Sequence, residues 1–349
     1  MKTTKSSLPK RTVRFTNHVV DGVFVLLMLF LLLCSIYIKL DSDSVFQAAD
    51  PKQWIQYKPE FPDEVETFEE LQEKNPDVIG WITIFGTNID YPILHSEESN
   101  EFYLAHNVLK EPEGSGSIFL DYRNHRDFSD FNNILHGHHM AHRKMFGDLD
   151  RFIDEDYFQK HEFGNAYFGD RDHSFQIIAT ILTDGYDSDI YKTSFRNAEE
   201  KVKFLNYVYL KASLIRGVDL TNKSTAERER TLLTQGVTSP LTPNDTLLTF
   251  STCNMEETNG RYIVIAKFLD YTVENPFPEE KAKDRDNNEH IDTFTLFNRY
   301  GALPLYIWFA ILILLIILTF VIYRLSRRRD KKIAQQANSP GGDDGYEQN

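Results

Sequence analysis

Residues 19–38 form an almost unbroken apolar run, and residues 302–323 form a second. Each has the roughly twenty residues needed to cross the hydrocarbon core of a bilayer, so anything that folds in water must lie between them. Lys2, Lys5, Lys10, Arg11 and Arg14 precede the first run, and Arg324, Arg327, Arg328, Arg329, Lys331 and Lys332 follow the second. Positive flanks stay cytoplasmic, which predicts both termini inside and the middle of the chain outside. Asp21 falls near the cytoplasmic edge of the first run, within reach of the headgroups. The first run could alternatively be a cleaved signal peptide, although no clean Ala-x-Ala site follows it. That changes the anchor and not the side.

The 349 residues then divide as a basic cytoplasmic N-terminus at 1–18, a transmembrane helix at 19–40 and an extracellular tether at 41–61. A folded domain at 62–270 comes next. An acidic linker at 271–300, a second transmembrane helix at 301–323 and a basic, hydrophobe-poor tail at 324–349 complete the chain. Residues 40–323 hold 26 Lys and Arg against 47 Asp and Glu, a net charge of −21. A nucleic-acid partner would require a basic face, so that class is excluded; the negative charge keeps an exported domain soluble.

Of two cysteines, Cys34 lies inside the first apolar run, which leaves Cys253 as the only thiol of the exported domain. Exported domains usually pair their cysteines or avoid them, so a lone one is a candidate reactive thiol. The bland alternative is a buried core residue. Its surroundings favour chemistry. Thr246-Leu-Leu-Thr-Phe-Ser-Thr-Cys253 and Gly260-Arg-Tyr-Ile-Val-Ile-Ala-Lys-Phe268 both read as strands, joined by the polar turn Asn254-Met-Glu-Glu-Thr-Asn-Gly260. Such a hairpin sets a thiol at one strand end beside Arg261 at the start of the next, a nucleophile beside an anion stabiliser.

Elsewhere the patterning predicts many short strands with a few helices between them. Strands are expected at 78–84, 89–94, 117–120, 131–136, 166–168 and 174–183, and helices at 62–75, 98–106, 145–152, 155–161 and 198–215. Residues 221–230 read as a polar loop or frayed helix. The fold class is mostly β, a barrel or sandwich with helical insertions, flanked by two transmembrane helices. Four imidazoles, His136, His138, His139 and His142, crowd the end of the 131–136 strand. His138 follows a glycine there, placed to project from a rim and act as acid or base toward a thiol.

Two other readings compete. His136-x-His138-His139-x-x-His142 has the density of a zinc-ligand cluster, yet the His-x-His-x-Asp-His pattern of a metal-dependent hydrolase would need an aspartate where Met140 stands. A non-catalytic surface module explains the two anchors but makes no use of Cys253 beside Arg261.

Gly137-His138 after a strand, Thr252-Cys253 ending one and Arg261 opening the next resemble the sortases, Gram-positive surface cysteine transpeptidases. The stretches Asn75-Pro-Asp-Val-Ile-Gly-Trp-Ile-Thr-Ile84, Ile89-Asp-Tyr-Pro92, Gly116-Ser-Ile-Phe-Leu-Asp-Tyr-Arg-Asn124 and Met145-Phe-Gly-Asp-Leu149 are similar to class B in particular. So is a long helix before the catalytic strand. The resemblance covers roughly residues 60–270 and implies a closed sortase-type β-barrel that needs no cofactor or metal. Cys253 would attack an LPxTG-like sorting signal and form a thioacyl intermediate. An amine of a cell-wall precursor, or of a pilin lysine, would resolve it. His138 would serve as acid and base, and Arg261 would hold the carbonyl oxygen. Ser251, Thr252 and Asn124 are candidate substrate or oxyanion contacts. The implied partners are surface proteins or pilins with a C-terminal sorting signal. The sequence departs from its relatives at His136, where tyrosine is common, and at His139, where asparagine is. The second apolar run is more typical of the pilus-building class C, whose lid Asp50-Pro51 faintly resembles.

Overall fold

The computed structural model describes residues 10–59, 67–220, 223–235, 240–254 and 258–277, with Ile313, Ile317, Arg324 and Arg328. Residues 41–290 make one compact unit; 1–40 and 291–349 make the other. Apart from those four residues, the expected second span, the linker beyond Phe277 and the tail lie outside the described residues.

Among the described residues there are five α-helices: α1 (Lys10–Ala48), α2 (Phe68–Lys74), α3 (Glu155–Lys160), α4 (Ala198–Lys211) and α5 (Thr225–Gln235). The strands are β1 (Val78–Ile84), β2 (Asp90–His95), β3 (Ile118–Leu120), β4 (Asn132–His136), β5 (Phe163–Phe168), β6 (Arg171–Asp184), β7 (Ala212–Ile215), β8 (Leu247–Cys253) and β9 (Gly260–Phe268). They pair in the order β5-β1-β2-β3-β4-β8-β9-β6, and a β5–β6 pairing closes a ring of eight; β7 hangs on β6 outside it. The mostly-β barrel expected from the sequence is therefore present. Closure leaves the ring no open edge to aggregate through.

Period-2 alternation sorts each strand between two environments. Ile82, Ile93, Leu135, Phe175, Phe250 and Val264 fill the barrel. On the outer face Leu247, Ile263 and Ile265 pack under Phe204, Leu205, Val208 and Tyr209 of α4. Each fully buried side chain of this kind contributes about 1.5–3 kcal/mol relative to exposure. A third cluster sets Phe68 and Leu71 of α2 against Trp81, Leu94 and Phe119. Helix α2 opens on a capping box in which Thr67 and Glu70 satisfy each other's backbone N–H.

Several expectations are corrected. The helix expected over 198–215 stops at Lys211, and the next four residues become β7, because the free edge of β6 pairs Ala179 with Ile215 and Ile181 with Ala212. The polar stretch after 221 contains a regular helix, α5, capped by mutual bonds between Ser224 and Glu227. The helix expected at 98–106 is only the 3-10 turn Phe102–Leu104. Residues 41–61 are not a loose tether as far as they are described. Helix α1 continues to Ala48, two 3-10 turns follow at Pro51–Gln53 and Ile55–Tyr57, and Ala49 and Tyr57 are buried in the domain.

Helix α1 contains the whole first apolar run. Among the described residues no helix is long and apolar enough to cross a membrane, so the two spans stand on the sequence alone.

Candidate active site

The hairpin read from the sequence is β8–β9. Its antiparallel register sets Cys253 directly opposite Arg261 and Ser251 opposite Ile263. Directly opposed residues share a face, with Cβ atoms about 4.5–5.5 Å apart. On the other side of β8, β4 runs parallel and places His136 beside Ser251. Since Leu135, Phe250 and Val264 point into the barrel, alternation turns His136, Ser251, Cys253 and Arg261 to the outer face. Three neighbouring strands therefore bring their chemistry to one end of the barrel.

His138 lies two residues beyond β4, and its peptide is stitched to β8. Gly137 donates its N–H to the Ser251 carbonyl at 3.3 Å, and the Thr252 hydroxyl donates to the Gly137 carbonyl at 2.8 Å. A glycine is required there: a Cβ on Gly137 would stand 2.4 Å from Ile118 Cδ1 and 2.8 Å from the Phe146 ring. The half-buried His138 ring places Nε2 2.7 Å from the Leu104 carbonyl. A carbonyl can only accept, so Nε2 carries a proton in this contact.

Arg261 donates from Nη1 to the carbonyls of Gly260, at 2.9 Å, and Asn259, at 3.3 Å. Asn259 is left-handed, with φ of 62°, and this turns its carbonyl toward the guanidinium. The loop after β6 lies close: a Cβ on Gly185 would come within 3.1 Å of Arg261 Nη2.

The other sequence candidates are buried and engaged by the framework. Ser251 and Thr252 are buried; Ser251 Oγ pairs with the Tyr191 hydroxyl at 2.7 Å. Asn124 braces the β3–β4 connection, donating to Asp130 and the Asn132 carbonyl and accepting from the Ile134 N–H. The four imidazoles diverge, each with its own partner. His136 meets Asp121 and His139 meets Asp150, both at 2.9 Å, while the His142 ring contacts Phe46. Among the described residues no cluster of three or more His, Cys, Asp or Glu is gathered as a metal would need. Asp50 is ion-paired with Lys144 at 2.6 Å, a partner outside the β8–β9 hairpin.

Sequence reasoning passed over Tyr191, which lies in the β6–α4 connection without a periodic pattern around it. Its ring stacks on His136 with centroids 6.0 Å apart. Burial pushes its phenol pKa up, partly offset by the bond to Ser251 and by the charge of Arg261. Asp121 below it is buried too, which opposes ionisation. Hydrogen bonds from Arg123 and His136 overcome that and hold its carboxyl well below the ordinary range.

No family model matches the chain. It is 31% identical to sortase B of Listeria monocytogenes over 202 residues, 57% of this chain and 73% of that protein. It is 30% identical to sortase B of Staphylococcus aureus over 207 residues, 58% of this chain and 74% of that protein. Among solved structures, sortase B of Clostridium perfringens superposes with a TM-score of 0.50 at 32% identity, covering 58% of this chain and all of that one.

Proposed function

Because the chain belongs to the sortase family, is class B-like and is thus a cysteine transpeptidase, we propose that Cys253 is its nucleophile, His138 its acid and base, and Arg261 its anion stabiliser. One observation carries this reading: the strand register that sets Cys253 opposite Arg261 and beside the strand that delivers His138.

The Cys253 thiol passes its proton to His138 Nδ1, and its sulfur attacks the carbonyl carbon of the scissile amide in an LPxTG-like sorting signal. The oxygen gains negative charge opposite Arg261, whose fixed cation is most useful in that state. The C–N bond then breaks, the departing amine takes a proton from His138, and a thioester remains on Cys253. An acceptor amine adds to the thioester and gives its proton to His138. The C–S bond breaks, a new amide is released and the sulfur is restored. The acceptor is an amine of the cell-wall precursor; a pilin lysine is the alternative, favoured by the second apolar run. Ser251 and Thr252 act through the backbone they hold, and Asn124 through the β3–β4 connection.

The domain division read from the sequence belongs to the same proposal: anchors at 19–40 and 301–323 hold the catalytic domain of residues 62–270 outside the membrane, with both termini cytoplasmic. The apolar run at 19–38 and the basic residues before it support the first anchor. Incubating the protein with a sorting peptide should load Cys253 with the N-terminal fragment, seen by mass spectrometry. Cys253→Ala should abolish both adduct and cleavage while leaving the circular dichroism unchanged; retained cleavage removes the thiol from the mechanism.

A further inference from the structure

The loop between His138 and Phe146 is held in an unfavourable shape. His142, Arg143 and Met145 all have φ between 52° and 56°, the left-handed region that side chains other than glycine avoid. Three such residues within four positions persist only if their surroundings impose the conformation. Part of the restraint is internal, from Gly147 N–H to the Lys144 carbonyl and from Arg143 to Asp148.

The rest comes from the segment that leaves α1. The Phe46 ring meets the His142 ring edge-on with centroids 5.0 Å apart. Lys144 Nζ donates to Asp50 Oδ2 at 2.6 Å, and both side chains are largely buried. The Tyr91 hydroxyl joins the two chains: it donates to the Ala49 carbonyl and accepts from the Met145 N–H, each at 2.9 Å. Ala49 is itself 1% exposed, a member of the barrel core. The far end of the loop returns to the histidine. Phe146 donates its N–H to the His138 carbonyl at 2.9 Å, and His139 pairs with Met145 in an isolated antiparallel bridge. A continuous set of contacts thus runs from residues 46–50 through the strained loop to the backbone of His138.

We propose that residues 46–50 are a strap that positions His138, with Phe46 and Asp50 as its positioning residues. The strap holds the loop in its left-handed path, and the loop fixes the imidazole where proton transfer to the leaving amine takes place. Without it, the loop relaxes toward ordinary backbone angles and draws the His138 peptide with it. The core of the barrel remains intact, because both side chains act at its margin. The inference rests on the role assigned to His138 above.

The test uses the full chain in detergent, a fluorogenic sorting peptide and four variants. Phe46→Ala with Asp50→Ala should lower kcat about tenfold, as expected when a catalytic group is displaced by a fraction of an ångström, with KM and melting temperature nearly unchanged. Asp50→Lys alone should lose activity, and Asp50→Lys combined with Lys144→Asp should regain most of it, because the pair is restored with its charges exchanged. A strap variant at the wild-type kcat overturns the proposal. So does a loss that falls in KM, or one that the exchanged pair fails to rescue. His138→Ala run alongside separates the two levels of failure. If it is inactive while the strap variants are normal, the strap alone is wrong; if it is active, the assignment of His138 fails and the strap with it.

Discussion

Gly137→Ala should damage stability and turnover together, and the size of each follows from the site. The new Cβ would sit 2.4 Å from Ile118 Cδ1 and 2.8–3.0 Å from the Phe146 ring. Neither neighbour can swing into solvent, since Ile118 is 1% exposed and Phe146 is fully buried. Overpacking of this kind costs about 1–3 kcal/mol, which in a domain of this size lowers Tm by roughly 3–10 °C. The strain can also be relieved by shifting the Gly137 peptide away from β8, which weakens its two bonds to Ser251 and Thr252. His138 then moves, and a misplacement near 1 Å costs about a hundredfold in rate. Gly169→Ala is the matched control. Gly169 has φ of 55° with nothing within 4 Å of its added Cβ, at the tip of the β5–β6 hairpin. An alanine there pays only the left-handed penalty of about 1–2 kcal/mol. Thermal melts followed by circular dichroism, with peptide cleavage well below each Tm, distinguish the two. Equal melting losses with a rate loss only in Gly137→Ala are expected. Full activity in Gly137→Ala, or equal rate loss in both, would refute the reasoning.

Two further outcomes are expected. Arg261→Lys should lower kcat about a hundredfold or more with little change in KM, because an ammonium does not reproduce a forked donor at the developing oxyanion; near-normal kcat in steady-state cleavage would move that role elsewhere. Stability should fall with acid in two stages. Burial, helped by the charge of Arg126, pushes His95 below its usual 6.5, so the unfolded chain takes up that proton first and stability drops as pH falls below about 6.5. Asp121 is likewise depressed, and its contribution is lost as pH falls below 3.8 toward its folded value. His95→Leu should flatten the first stage in melts between pH 7 and 5; an unchanged slope assigns it to another group.

The parts of the site that follow from local pattern were legible in the sequence. The β8–β9 hairpin carries alternation, a polar turn and both Cys253 and Arg261 within a few residues, so its register follows from the sequence itself. The strand at Val78–Ile84 matched to the residue, since it is bounded by Asn75-Pro-Asp77 and by Gly86. What the sequence hid was set by distant partners. Ala212–Ile215 has the spacing of a helix end, and only the free edge of β6 makes it a strand. Residues 46–50 lack any pattern that would reveal their burial, which depends on Tyr91 and Lys144 far along the chain. Tyr191 was missed for the same reason, because its partners His136 and Ser251 lie on two other strands. Ser224-x-x-Glu227 was a readable capping signal that the polarity of its surroundings masked.

The parallel joint between β4 and β8 has a consequence for how the enzyme comes alive. Thr252 and Gly137, which lock that joint, are 115 residues apart in the chain, and such distant pairings form late because a long loop must close first. On the proposed assignment of Cys253 and His138, the two residues come to neighbouring strands only once this joint has formed. If that assignment holds, reactivity is tied to the finished barrel, and closing the long β4–β8 loop is the step that switches the thiol on.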